Sequence, residues 1–197
     1  MTPKGYTNRQ QIENYLLTTI DPSFYNQIND WIAQMEIHID KMTGRNFVAD
    51  GTASEKVYDG DGSFDLFIDD AVEVEEVKID DEILIVDDSG NADDYYLYPA
   101  NELPKRRIKT VSQRFNKGNQ NISVSAKWGY SASAPYDIGF AVTILVAGII
   151  NYSGDMEGEI KSMSIGRYSV TYKDEKQWQD FERIKDIIKS YKRMGTF

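Results

Sequence analysis

The chain has 197 residues, with 32 acidic against 22 basic side chains, a net charge of -10 and no cysteine. Its 41% apolar and 12% aromatic content suffices for a buried core, which excludes wholesale disorder. The missing cysteines exclude disulfide frameworks, thiolate catalysis and cysteine-based metal sites, and the single histidine, His38, excludes a His-cluster metal centre.

Taken in chain order, the opening Met-Thr-Pro-Lys-Gly-Tyr lacks an apolar h-region, so no signal peptide is expected. Thr7 stands where it would cap a first helix, in which Ile12, Tyr15, Leu16 and Ile20 recur at helical spacing. Asp21-Pro22 then puts a capping carboxylate before a proline, which favours a second helix. Its apolar stripe is Phe24, Ile28, Trp31, Ile32, Met35, Ile39 and Met42, and Thr43-Gly44 ends it. His38 lies on this helix between two isoleucines, a position for a structural or interfacial histidine.

From 55 to 130 the apolar period becomes two. Phe64, Leu66 and Ile68, then Val72, Val74, Val77 and Ile79, and later Ile122, Val124, Ala126 and Trp128 alternate with polar neighbours. Turn clusters separate them: Asp59-Gly60-Asp61-Gly62, Asp80-Asp81, Asp87 to Asn91, and Asn116 to Asn119. The segment reads as an antiparallel sheet inserted between helices. Pro135 is expected in the first turn of a third helix, Tyr136 to Tyr152, which is apolar on nearly every side and hence central to a helical core. Its apolar run, Ile138 to Ile150, is shorter than the roughly 20 residues of a membrane helix. A hairpin from Ile160 to Tyr172 and a last helix from Asp174 to about Arg193, with Trp178, Phe181, Ile184, Ile188 and Tyr191 on one stripe, complete the chain. The predicted fold class is α+β and mainly helical: a single domain, in which a small helical bundle carries the inserted sheet and a short hairpin before the C-terminal helix. Its three parts are residues 1–54, 55–130 and 131–197.

The net charge is unevenly distributed. Residues 50–102 carry 18 acids and two bases, while residues 103–129 carry seven bases and no acid. A chain divided this way is expected to interact with charged partners in an oriented manner; the alternative is that solvated strand faces need charge anyway.

Candidate chemical sites are few. Asp59, Asp61, Ser63 and Asp65 have the alternate spacing of a calcium loop, with Asp70 at the twelfth position, but Phe64 replaces the required glycine and a hairpin turn explains the same residues. No carboxylate pair is singled out for acid-base chemistry, no phosphate-cradling glycine loop is present, and no serine has a nucleophile-elbow context. Pro104 to Lys109 is the sharpest basic element, yet one short run in an acidic protein does not make a DNA-binding domain.

Five segments in order carry a family resemblance: Ile39-Asp-Lys-Met-Thr-Gly-Arg-Asn-Phe47; Val57-Tyr-Asp-Gly-Asp-Gly62; Tyr98-Pro-Ala-Asn-Glu-Leu-Pro104; Ala126-Lys-Trp-Gly-Tyr130 with Pro135-Tyr-Asp-Ile138; and Ile165-Gly-Arg-Tyr-Ser-Val-Thr-Tyr172. Together they resemble the head-tail connector (adaptor, head completion) proteins of long-tailed bacteriophages and prophages. The resemblance implies a structural, non-enzymatic virion protein without cofactor, made in the host cytoplasm. It also implies a dodecameric ring under the portal that extends the DNA channel, lets DNA pass without specific binding, and seats the next neck, stopper or tail-completion protein. The sheet from 55 to 130 is larger than in the smallest members of that family.

On this reading the oppositely charged segments supply the ring contacts, with Lys105, Arg106, Arg107 and Lys109 on one side and Asp80, Asp81, Asp87 and Asp88 on the other. Alternatively, the acids face the channel. Lys189, Lys192, Arg193, Met194 and Phe197 are the candidates for portal docking, with a frayed terminus as the plain alternative. No membrane partner is expected. From a different class, the 13 tyrosines and three tryptophans suggest a carbohydrate- or surface-binding module. A calcium-dependent hydrolase is the third reading.

Overall fold

A computed structural model describes residues 1–84, 95–153, 161–165, 168–172 and 175–193. The chain divides into a helical unit, Met1–Arg45 with Ala134–Met194, and a sheet unit built on Asn46–Ser133.

In the helical unit, α1 (Arg9–Leu16) is capped by Asn8. Its Oδ1 accepts from the Gln11 N–H, and Gln11 Oε1 accepts in return from the Asn8 N–H, each at 3.0 Å. Asn8 therefore takes the cap expected of Thr7, whose hydroxyl instead meets that of Thr143 at 2.6 Å. A short 3-10 turn, Pro22–Phe24, capped by Asp21, leads into α2 (Tyr25–Thr43). Ile28, Ile32, Met35 and Ile39 of the expected stripe are buried, while Phe24 is exposed and Trp31 and Met42 are half-buried. Gly44, at φ 70°, closes α2 in the left-handed conformation that glycine adopts without a Cβ penalty.

Helix α3 (Tyr136–Ser153) is the centre of this unit: Ile138, Ala141, Val142, Ile144, Leu145, Val146 and Ala147 are all buried. Pro135 stands immediately before the first helical residue, and its carbonyl closes the first turn by accepting the Gly139 N–H at 3.0 Å. Gly139 has no room for a side chain, because a Cβ there would lie 2.4 Å from the carbonyl oxygen of Tyr6. The hairpin β7 (Lys161–Ile165) and β8 (Tyr168–Tyr172) pairs antiparallel, and α4 (Glu175–Tyr191) buries Ile184 and Ile188.

The sheet unit contains β1 (Ser54–Gly60), β2 (Asp65–Ile79), β3 (Glu82–Leu84), β4 (Tyr95–Tyr98), β5 (Lys105–Thr110) and β6 (Gly118–Trp128). These form one antiparallel sheet in the order β1-β6-β2-β5-β4, with β3 beside the end of β2. β2 has 15 residues and pairs with β5 along its first half and β6 along its second, with register shifts between Phe67 and Ala71, Ala71 and Glu73, and Val74 and Glu76. Such irregularities bend and twist a strand. Ile68, Val77, Ile108, Phe115, Ile122, Val124 and Trp128 fill its core.

The mainly helical bundle expected from the sequence is thereby corrected. Among the described residues eight strands stand beside the four α-helices, and the fold is α+β with a six-stranded sheet that is no minor insertion. The physical reason is that this sheet buries a core of its own. Moreover, one of its strands is the basic run itself, whose four cations between Lys105 and Lys109 obscure the inward pair Ile108 and Thr110.

Candidate functional site

β5 places its charges by simple alternation: Ile108 and Thr110 point into the core, and Arg107 and Lys109 point outward. Register then builds two rows across three strands, Phe67–Arg107–Tyr98 and Asp65–Lys109–Tyr96. The Arg107 guanidinium lies 4.4 Å from the Tyr98 ring centroid, and its Nε is 3.5 Å from the Asp65 carboxylate. Phe67 is 57% exposed and Tyr96 45%. Lys105 serves the fold instead, because its ammonium donates to the carbonyls of Pro99 (2.6 Å) and Ala100 (2.9 Å) and so ties down the turn before β5. Arg106 is exposed at the start of the strand, on the side opposite Arg107.

The acidic counterpart is the turn from β2 to β3. Asp80 and Asp81 both have positive φ, 50° and 68°, which aspartate tolerates better than most residues. Side-chain amides of Asn116 (3.2 Å) and Asn121 (3.4 Å) donate to the Asp80 carboxylate and hold the turn. Asp81 and Glu82 are exposed, and Ile83 is 56% exposed beside them. Asp87 and Asp88 lie outside the described residues.

The acids with calcium-loop spacing are engaged in the fold. Asp59 Oδ1 accepts the Gln120 N–H at 2.6 Å, and Asp61 Oδ1 accepts the Ser63 N–H at 2.8 Å; the Ser63 hydroxyl first, and this N–H second, hold the Asp61 carboxyl below its usual range. Among the described residues no group of three or more acids or histidines is arranged to hold a metal ion. His38 is half-buried on α2.

Two segments noted in the sequence meet at one end of the sheet unit. The Tyr130 N–H donates to the Asn46 carbonyl (2.8 Å), Asp50 N–H to Trp128 (2.9 Å) and Ala49 N–H to Ser131 (2.9 Å), while the rings of Phe47 and Tyr130 pack 5.6 Å apart. Gly129, at φ 148°, allows the crossing, since a Cβ would lie 2.4 Å from Ala49 Cα. Trp128 is buried, with its indole N–H on the Ser54 carbonyl at 2.8 Å. Trp178 is outside the residues whose side chains are described. Tyr95, also buried, has its phenol pushed up to about 12 by loss of solvent.

In the helical unit, the end of α4 is fastened to the end of α2. Arg45 Nε donates to the Tyr191 carbonyl at 2.6 Å, and the Arg193 N–H donates to the Thr43 carbonyl at 2.8 Å. Lys189 and Lys192 are exposed there, Arg193 is half-buried, and Met194 and Phe197 lie outside the described residues. At the other side of α2, the buried Glu36 carboxylate accepts three backbone N–H groups, from Lys4 (2.5 Å), Gly5 (3.1 Å) and Tyr6 (2.8 Å). Burial raises its pKa despite these donors, with the neighbouring Asp40 adding to the shift. Asp40 accepts from Lys4 Nζ at 2.6 Å and the Tyr6 hydroxyl at 2.7 Å.

Charge reading alone missed Phe67, Tyr96 and Ile83. The signal was present as apolar residues at the outward positions of strands whose inward positions are already apolar.

No protein-family model matches the chain, and no curated protein matches it. Its fold is similar to that of a chain in a solved structure, the neck of an empty GTA particle computed with C6 symmetry. The TM-score is 0.61 at 12% sequence identity, over 100% of this chain and 94% of the other. At that identity the likeness is one of fold.

Proposed function

We propose that the chain is a structural subunit of the neck of a phage-like particle: a head-tail connector whose copies form a ring below the portal. The observation that carries this reading is the fold likeness to a neck chain over the whole of this chain and nearly all of the other. The ordered segments from Ile39 to Tyr172 support it. A particle averaged with C6 symmetry suits rings whose copy number is a multiple of six, and twelve is the number we propose. The ring extends the DNA channel and seats the following neck or tail-completion protein. With a net charge of -10, the subunit lets DNA pass without gripping it. Its place is the virion, after synthesis in the host cytoplasm, and its role is shape rather than catalysis.

The end of α4 is the portal-facing element in this reading. Lys189 and Lys192 are exposed beside a fastened helix end, and residues 194–197 follow them directly. The test is co-sedimentation of the chain with the portal of its own particle. Binding that weakens when residues 194–197 are deleted is expected; full binding by the deletion rejects the docking role, and no binding by the intact chain rejects the connector role. Glycan-array binding lost on Tyr96→Ser would favour the surface-binding alternative.

A further inference from the structure

Two patches of the sheet unit combine exposed apolar surface with charge of opposite sign. On the tip of the β2–β3 hairpin, Ile83 is 56% exposed and stands among Asp80, Asp81 and Glu82. On the outward face of β2, β5 and β4, Phe67 (57%) and Tyr96 (45%) flank Lys109, and Asp65 in the same row is partnered by Arg107. The Lys109 side chain is exposed and makes no hydrogen bond or ion pair among the described residues, its strand neighbour Asp65 being engaged by Arg107. Exposed large apolar side chains beside unpaired charge mark association surfaces more often than solvated faces, and aromatic residues are the usual anchors.

We propose that copies of this chain join head to tail, the acidic tip Asp80–Ile83 of one seated on the Lys109, Phe67 and Tyr96 face of the next. This rests on the ring reading and supplies its contact. A ring requires two different, mutually complementary patches on every subunit, and these are different and complementary in both sign and polarity. A polyanion such as nucleic acid would meet the same lysine, but it would meet the acids of the same sheet as well. A second copy brings its own acids already arranged on a turn held by Asn116 and Asn121.

The test uses two variants of the full chain, a face variant (Phe67→Ser, Lys109→Glu) and a tip variant (Asp81→Asn, Glu82→Gln), all four positions being exposed and outside the core. Sedimentation velocity of wild type, each variant and their equimolar mixture reads the outcome, with circular dichroism as the check on folding. Wild-type rings are expected, with at least tenfold weaker association for each variant alone. The mixture should give dimers and nothing larger, since it offers one intact tip and one intact face. Rings that persist in both folded variants overturn the contact while leaving the ring reading intact. A mixture without dimers shows that the two patches do not meet. Wild type that neither self-associates nor assembles with its portal removes the ring reading itself. A labelled oligonucleotide bound by wild type and released by the face variant would assign the face to a polyanion instead.

Discussion

The helical and sheet units use their polar residues in opposite ways. In the helical unit the distinctive polar groups turn inward and fasten segments together: Glu36 gathers three backbone N–H groups, Asp40 takes Lys4 and Tyr6, Thr7 meets Thr143, and Arg45 closes the end of α4. In the sheet unit the core is almost wholly apolar, and the charges line outward strand positions and turns. The first arrangement ties the segments to one another, because a buried polar group left unpaired is costly. The second pairs some charges along the strands, as Lys56 with Asp69 and Lys127 with Glu73, and leaves others, such as Lys109 and Asp81, exposed on the surface. Both units share one device, a glycine where two backbones approach closely: Gly139 beneath Tyr6 and Gly129 beneath Ala49.

Substitutions should separate these roles. The largest loss is expected for Gly129→Ala, where the positive φ and the close approach to Ala49 backbone act together; about 3 kcal/mol or more of unfolding free energy should disappear in urea denaturation. Glu36→Ala follows, since three N–H groups lose their acceptor at once; a loss of about 3 kcal/mol is expected, with association of the surviving folded protein unchanged. Were that variant to lose assembly while keeping its stability, the division between the units would be wrong.

Glu36 also sharpens the comparison through pH. Its folded pKa is raised above the ordinary glutamate value of 4.5, so the folded state holds the proton more tightly than the unfolded chain. The stability from this group is fully present below 4.5 and is lost as pH rises through the folded value. Denaturation across that window should show a steeper decline with pH for wild type than for Glu36→Gln, and equal slopes would remove Glu36 as the source. Arg45→Ala releases one capped carbonyl, with an expected loss of about 1 kcal/mol and faster amide exchange confined to the end of α4. The smallest effect on stability belongs to Lys109→Glu, within about 0.5 kcal/mol, although it reverses the charge on which association depends.

Much of this was legible in the sequence. Steps of three and four located α2 and α4, the unbroken apolar run located α3, and Gly44 marked a helix end, because each signal is local and repeated over several turns. The cap of α1 moved from Thr7 to Asn8 because both residues can cap, and the reciprocal Gln11 bond decides between them. β5 was hidden by its own cations, and the extent of the sheet with it. The face formed by Phe67, Lys109 and Tyr96 was beyond reading from the sequence, since register between strands distant in the chain creates it. The fastening of the N-terminal segment by Glu36 was likewise invisible: a glutamate on an otherwise ordinary helix gives no local sign that it will be buried under the backbone of residues 4–6.

Electron microscopy of the purified chain mixed with the portal of its particle is the most direct test of a connector role. Class averages should show an added ring coaxial with the portal, with a copy number that is a multiple of six. Portals that remain bare while the chain stays monomeric would contradict it.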